Sequence, residues 1–346
     1  MKILLDGRLI SNKPTGISRY SREVVKIYQD YFGYDNVTVI INEELESKTF
    51  HSVYTDLKPF TPHHFFLFHN FLKKLNFDIY HSLYHCNSFF KDKNKFYITT
   101  IHDVGYKAIN CKIHLNPIRN FLTKFAVDFI LKRTLKNSDL VITVSQSTRE
   151  DILHFYNKDS IHIPEGVNII PGKEVPIKNL KPKSFFLYVG NSRPTKNLNF
   201  LLEAFAKSKT DKTLVIAGNN NFLQVNRERV QNLGFVSDEE LNWLYSNCEA
   251  FIFPSLYEGF GLPVLEALHK GAKVYCSTGG SLKEFPTTAV KHFDPYDLNQ
   301  LISLIENSDS ITFEKKEINS ILGIYSWNSV NNLMINNIFN RFKQLQ

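Results

Sequence analysis

The stretch from Phe251 to Gly271, FIFPSLYEGFGLPVLEALHKG, constrains this chain more than any other. The apolar run Ala250 to Phe253 ends at Pro254, as a strand buried on both faces of a parallel sheet does. A loop with Gly259 and Gly261 follows, and glycine permits backbone angles and ligand approaches that a Cβ forbids. Pro263 suits the first helical position, where its missing N–H costs nothing, and the helix reads on to a stop at Gly271. The amides of Phe260, Gly261 and Leu262 therefore fall at the positive end of a helix dipole, which makes an anion site. Glu258 precedes this terminus, and Glu266, eight residues later, lies about one turn inside the helix. A carboxylate only accepts hydrogen bonds, so both suit vicinal hydroxyls such as those of a ribose or hexose. Two solvated carboxylates on a surface turn are the competing reading. The apolar flanks and the strand-to-helix junction, where open α/β sheets bind ligands, favour a site.

At 346 residues the chain exceeds one hydrophobic core, so two domains are expected. Apolar residues at 43% and charged residues at 22% describe an ordinary globular protein rather than a disordered one. No apolar run approaches the ~18 residues of a membrane span, and Met1 leads straight into KILLD rather than a signal peptide, which predicts a cytoplasmic protein. Cys86, Cys111, Cys248 and Cys276 contain no C-x-x-C pair, so neither a zinc site nor a disulfide framework is indicated. The net charge is +7, with most of the excess in the first half. That balance suits an anionic partner such as a lipid head group or a diphosphate, and without a clustered stripe it gives no support to nucleic acid.

Taken in order, Lys2 to Asp6 predicts a strand and Ile17 to Tyr31 a helix, with Gly16 just before it. The G-x-G-x-x-G fingerprint of dinucleotide-binding folds is missing. Val37 to Ile41, Asp78 to Leu83 and Phe96 to Ile101 predict strands that alternate with helices, the pattern of a parallel sheet. His63 to Phe77 is the most aromatic stretch; it fits a membrane-surface helix or a core-facing one. His102-Asp103 follows the strand YITTI at its ligand-side end, where Asp103 orients the imidazole or caps the next turn. Asn116 to Leu135 predicts a long helix, and DLVITVSQSTREDI a strand and a helix capped near Ser145 to Ser147. Pro171 to Lys183, with three prolines and four lysines, predicts a linker. Beyond it Ser184 to Gly190 opens a second β-α unit whose helix, Asn197 to Lys207, has Lys196 at its N-terminus. A cation and a helix dipole there would jointly hold a diphosphate. Thr213 to Gly218 predicts another strand, and LGFVSDEEL a short strand followed by a helix capped by Ser237 or Asp238.

The string E-G-F-G-L-P-x-L-E from Glu258 to Glu266 resembles the E-x7-E motif of retaining, nucleotide-sugar-dependent glycosyltransferases of family 4, the glycosyl transferases group 1. The resemblance implies an α/β protein of GT-B fold: two Rossmann-like α/β/α domains facing across a cleft, with a C-terminal helix crossing back to the N-terminal domain. The domains would run 1–170 on the acceptor side, 171–183 as linker, 184–325 around the nucleotide sugar, and 326–346 as the returning helix. It implies that Glu258 contacts the transferred sugar and Glu266 the ribose, while the amides of Gly259, Phe260, Gly261 and Leu262 hold sugar hydroxyls and diphosphate. Gly190 to Lys196 fits the family's G-x5-K spacing, which makes Lys196 the phosphate lysine. Arg193 stands in for an arginine that members place where this chain has Asn191 or Thr195. Gly16 matches a loop glycine near the donor phosphate, Gly234, Phe235 and Val236 the docking site of the base, and T-x-H-D the segment whose histidine, here His102, lies beside the transferred sugar and donates a hydrogen bond to it. His102, Glu258 and Lys196 are thus the catalytic candidates.

The implied activity is transfer of a hexose from a GDP- or UDP-sugar to a glycan or lipid-linked acceptor, with retention, in cell-surface polysaccharide or glycoconjugate synthesis at the inner face of the membrane. No cofactor or metal is expected, because the chain has no D-x-D pair and Lys196 with helix N-termini can neutralise a diphosphate. Two other readings stand beside it: a nucleotide-sugar-binding GT-B protein without turnover, and another GT-B enzyme such as an epimerase, which needs no acceptor.

Overall fold

The computed structural model describes residues 1–12, 15–46, 49–109, 116–167, 172–218 and 228–343. Pro14, Cys111 and the junction 168–171 of the expected first domain and linker lie outside them. The chain divides into two compact units. One holds Met1–Ala108, residues 116–166 and the helix Trp327–Lys343; the other holds Val167–Ser326.

The first unit is a seven-stranded sheet of β1 (Ile3–Asp6), β2 (Val37–Ile41), β3 (His51–Tyr54), β4 (Ile79–Ser82), β5 (Phe96–Ile101), β6 (Leu140–Thr143) and β7 (Ile161–His162), in the order β3-β2-β1-β4-β5-β6-β7. Every pairing is parallel. A parallel sheet covered by helices is buried on both faces, and β1, β4, β5 and β6 accordingly have no exposed position. The helix Gly16–Phe32 is capped by Thr15, whose side chain accepts from the Ser18 amide. Gly16 is therefore its first residue rather than the last of the loop. The helix Trp327–Lys343 belongs to this unit: Val330, Met334, Ile335 and Ile338 join Ile3, Leu5 and Val24 in one core cluster. Gly166 lies so close to it that a Cβ would stand 2.4 Å from the Trp327 ring.

The second unit is a six-stranded sheet of β8 (Phe185–Val189), β9 (Thr213–Ala217), β10 (Val230–Gly234), β11 (Phe251–Phe253), β12 (Val274–Ser277) and β13 (Lys291–Phe293). Its order is β10-β9-β8-β11-β12-β13, again parallel throughout. The chain winds outward from β8 in one direction and from β11 in the other, so the crevice beyond their carboxyl ends is the topological switch point, where open α/β sheets take their ligands. Of the two caps expected for the helix Asp238–Asn247, Ser237 is the one used, in a capping box with Glu240. Among the described residues, no helix is long and apolar enough to cross a membrane.

Candidate active site

In the second unit the loops after β8 and β11 are tied at the switch point by a backbone bond, Leu256 amide to Thr195 carbonyl, 2.8 Å. This brings Lys196 and Glu258 together. Lys196 Nζ donates to Glu258 Oε1 at 2.6 Å, and the two side chains are 23% and 16% exposed. The ammonium also lies 5.3 Å from the centre of the Phe253 ring. Burial, then the Glu258 charge, pushes the nearby Tyr188 phenol well above its ordinary pKa. An ammonium has three donors and Glu258 takes one, which leaves capacity for phosphate oxygens. Lys196 occupies a 3-10 turn, Pro194–Lys196, and Asn197 in the left-handed region separates it from the helix Leu198–Lys207. It therefore stands one residue outside the helix terminus expected to flank it. Arg193, in the same loop, is exposed.

The helix after β11 is Leu262–His269, so Leu262 and not Pro263 is its first residue. Gly261, at φ 113°, forms its N-cap. A Cβ there would meet Leu282 and Phe285 at 3.0 Å, so both the angle and the space require glycine. Gly259 does not adopt positive φ, so of the two glycines read as conformationally special only Gly261 is. The first amides of a helix have no partner within it, so those near Gly261 lie at the positive end of this helix's dipole. Phe260 is 8% exposed and packs edge-on against Tyr325 at 5.4 Å, so its ring belongs to the packing of the unit. One turn into the helix, Glu266 is half-buried and accepts from Tyr245 Oη at 3.4 Å. β10 ends at Gly234, so Phe235 and Val236 follow the strand instead of forming it, and Phe235 is 91% exposed.

Sequence reading missed the support beneath Glu258. The Glu258 carbonyl accepts from the Ser281 amide at 3.0 Å and the Ser281 hydroxyl at 3.1 Å, and that hydroxyl also lies 2.6 Å from the Phe260 carbonyl. Gly280, at φ 62°, pairs with Glu258, and a Cβ there would fall 2.4 Å from the Glu258 carbonyl oxygen. The consecutive glycines and serine of TGGS were the available signal.

In the first unit His102 follows β5 and is 7% exposed. Its Nδ1 lies 2.8 Å from Glu165 Oε1 and its Nε2 2.9 Å from the Leu83 carbonyl, with the Tyr20 ring edge-on at 4.9 Å. Burial disfavours the imidazolium, but the hydrogen bond and charge of Glu165 and the Leu83 carbonyl outweigh it and raise the pKa. Both ring nitrogens face acceptors, an arrangement that favours the imidazolium. A bond from Nε2 to a sugar therefore requires the ring to leave Leu83. Asp103 caps the next turn, accepting from the Gly105 amide at 3.0 Å, which settles its two alternatives. Glu165, inside IHIPEGVN, carried no sequence signal of its own. Nor did Arg8, which is buried beside β1, forks onto Asp6 at 2.7 and 2.8 Å and approaches His64 Nδ1 at 3.1 Å. Burial and the Arg8 charge lower the His64 pKa to about 4, so its ring is neutral and can accept.

Family models match both halves of the chain: residues 40–169 match "Glycosyltransferase Family 4" and residues 173–310 match "Glycosyl transferases group 1". O-antigen chain mannosyltransferase B of Escherichia coli is 29% identical over 61% of the chain and 60% of its own length. O-antigen chain mannosyltransferase RfbU of Salmonella typhimurium is 26% identical over 70% of the chain and 73% of its own. The match thus spans less than two thirds of the Escherichia coli relative. Among solved structures, Anabaena HepE in complex with UDP-glucose superposes with a TM-score of 0.68 over 98% of the chain and 100% of its own, at 16% identity, a likeness of fold.

Proposed function

Because the chain belongs to the group 1 glycosyltransferases of GT-B fold, we propose that it transfers a hexose from a GDP- or UDP-sugar to a glycan or lipid-linked acceptor in cell-surface polysaccharide synthesis, at the inner face of the membrane. The observation that carries this is the pairing of Lys196 and Glu258 at the switch point, beside the helix N-terminus that leads to Glu266. In this reading the diphosphate lies on the amides near Gly261 and on Lys196, Glu266 takes the ribose hydroxyls, and Glu258 takes a sugar hydroxyl. The base docks against Gly234, Phe235 and Val236, and Arg193 lies toward the phosphates. Lys196 gains strength as charge develops on the leaving diphosphate, the condition for lowering a barrier rather than only binding substrate.

The names of the two relatives make a mannosyl donor the first to test, and the UDP-glucose bound by HepE makes the uridine sugars the second. Thermal shift against a panel of nucleotide sugars identifies the donor, since a ligand at ~100 times its dissociation constant adds about 2.7 kcal/mol. Transfer to a glycan acceptor then follows, with the anomeric configuration retained in the proton NMR spectrum of the product and the rate unchanged by EDTA. A panel in which no nucleotide sugar stabilises the protein overturns the reading. A β-linked product from an α-linked donor overturns retention, and loss of transfer in EDTA with rescue by a divalent metal overturns metal independence.

A further inference from the structure

The helix Pro117–Asn137 of the first unit buries only Ile130, Leu131, Thr134 and Leu135, all in its C-terminal half. From its first turn as far as Phe129 it instead exposes Ile118, Phe121, Leu122, Phe125 and Phe129, each by 50 to 73%. Those positions fall within a sector about 100° wide on the helix surface, the width of a face built to be covered. The same sector continues into exposed Lys132, which is ion-paired with Asp128 at 2.8 Å, and exposed Lys136, so one face is apolar at its start and carries a cationic excess at its end. The face does not stop at the helix. Phe129 packs 5.8 Å from Phe89, and Phe89 stacks 4.3 Å from Phe65 on the helix Pro62–Leu72. That second helix exposes Phe66 by 74% while burying His64, Phe68 and Leu72, so it combines the core-facing and surface roles that the sequence left as alternatives.

Charge decides what covers this surface. Residues 60–137 carry 12 Lys+Arg against 4 Asp+Glu, an excess larger than the +7 of the whole chain, so the remainder is close to neutral. A second copy laid face to face would bring like charges together. An anionic bilayer meets both halves of the pattern, because aromatic and aliphatic side chains enter the boundary between head groups and acyl chains while lysine and arginine contact lipid phosphates. We propose that this face of the first unit docks on a lipid bilayer that carries anionic head groups, with the helix Pro117–Asn137 lying in the plane of the interface.

Co-sedimentation of the full chain with vesicles tests it, using phosphatidylcholine alone and phosphatidylcholine with roughly 30% phosphatidylglycerol, over a salt series. The parent is expected to bind the anionic vesicles and to be released by salt. Phe121→Ser with Phe125→Ser should weaken that binding about 100-fold, and Lys132→Gln with Lys136→Gln about 25-fold. Both pairs are exposed, so thermal unfolding should stay at the parent value and show that the loss is not misfolding. A parent that ignores anionic vesicles, or double variants that bind like the parent, overturns the proposal. So does a parent that sedimentation equilibrium shows to be a dimer dispersed by the phenylalanine pair, which would assign the face to a second copy.

Discussion

The Lys196 ammonium and the Glu258 carboxylate lie 2.6 Å apart on the loops that follow the two central strands of the second unit. Phosphate and sugar groups proposed for these residues are covalently joined in a nucleotide sugar, so the pair acts as one unit on adjoining parts of one ligand. Lys196→Ala should lower kcat/KM about 100-fold. Combining it with Glu258→Ala should cost much less than the product of the single losses, because residues in contact are not additive. Steady-state kinetics of the four enzymes measures the coupling; losses that multiply would show two independent contacts.

Glu266→Ala should weaken nucleoside diphosphate binding roughly tenfold or more, the worth of hydrogen bonds to a charged acceptor. Glu258→Ala should bind the same nucleotide as well as the parent or better, because Lys196 regains the donor it now gives to Glu258, while turnover of the sugar falls. Isothermal titration calorimetry separates the two, and equal affinities for both variants and the parent would refute the assignment.

Gly280→Ala should destabilise the chain by about 1–3 kcal/mol and also cut turnover, since the new methyl collides with the Glu258 carbonyl and moves the carboxylate. Gly271→Ala is the matched control. It has positive φ but nothing within 4 Å of a Cβ, so it should carry the backbone strain alone and leave turnover intact. Urea denaturation with parallel rate measurements checks both.

The His102–Glu165 pair predicts a pH dependence with a definite sign. The folded pKa of His102 is raised above its ordinary value of 6.5, so the stability it contributes is full below about pH 6.5 and is lost as pH climbs through the raised value. Glu165→Gln removes the cause of the raise and leaves burial to oppose the charge. Its destabilisation should be largest in mildly acidic solution and shrink toward pH 9, as urea denaturation at the two extremes would measure. A cost that grows with pH would show that His102 is neutral in the folded parent.

The central strands of both sheets were legible because a buried parallel strand leaves an uninterrupted apolar run, as in Phe251–Phe253 and Phe96–Ile101, whereas the edge strands His51–Tyr54 and Lys291–Phe293 leave none and were not read. The loop between Glu258 and Glu266 was legible because its glycines, proline and carboxylates are consecutive. Contacts between distant segments were not. The bond from Lys196 to Glu258 spans 62 residues and that from His102 to Glu165 spans 63, and neither alters the local pattern at either end. Strand limits failed for a different reason. Phe235 and Val236 have high strand propensity, yet the strand ends at Gly234 because β9, its neighbour among the described strands, has ended at Ala217. Propensity could not supply a hydrogen-bonding partner that was absent.

The core of the first unit is completed by Val330, Met334, Ile335 and Ile338, which lie beyond the whole of the second unit in sequence. During synthesis the second unit, continuous from Val167 to Ser326, has all its strands before the first has its last helix. The usual N-terminal-first order is thus reversed at the final step: until that helix has been made, the apolar residues of the first unit that it covers lack its contribution to their burial.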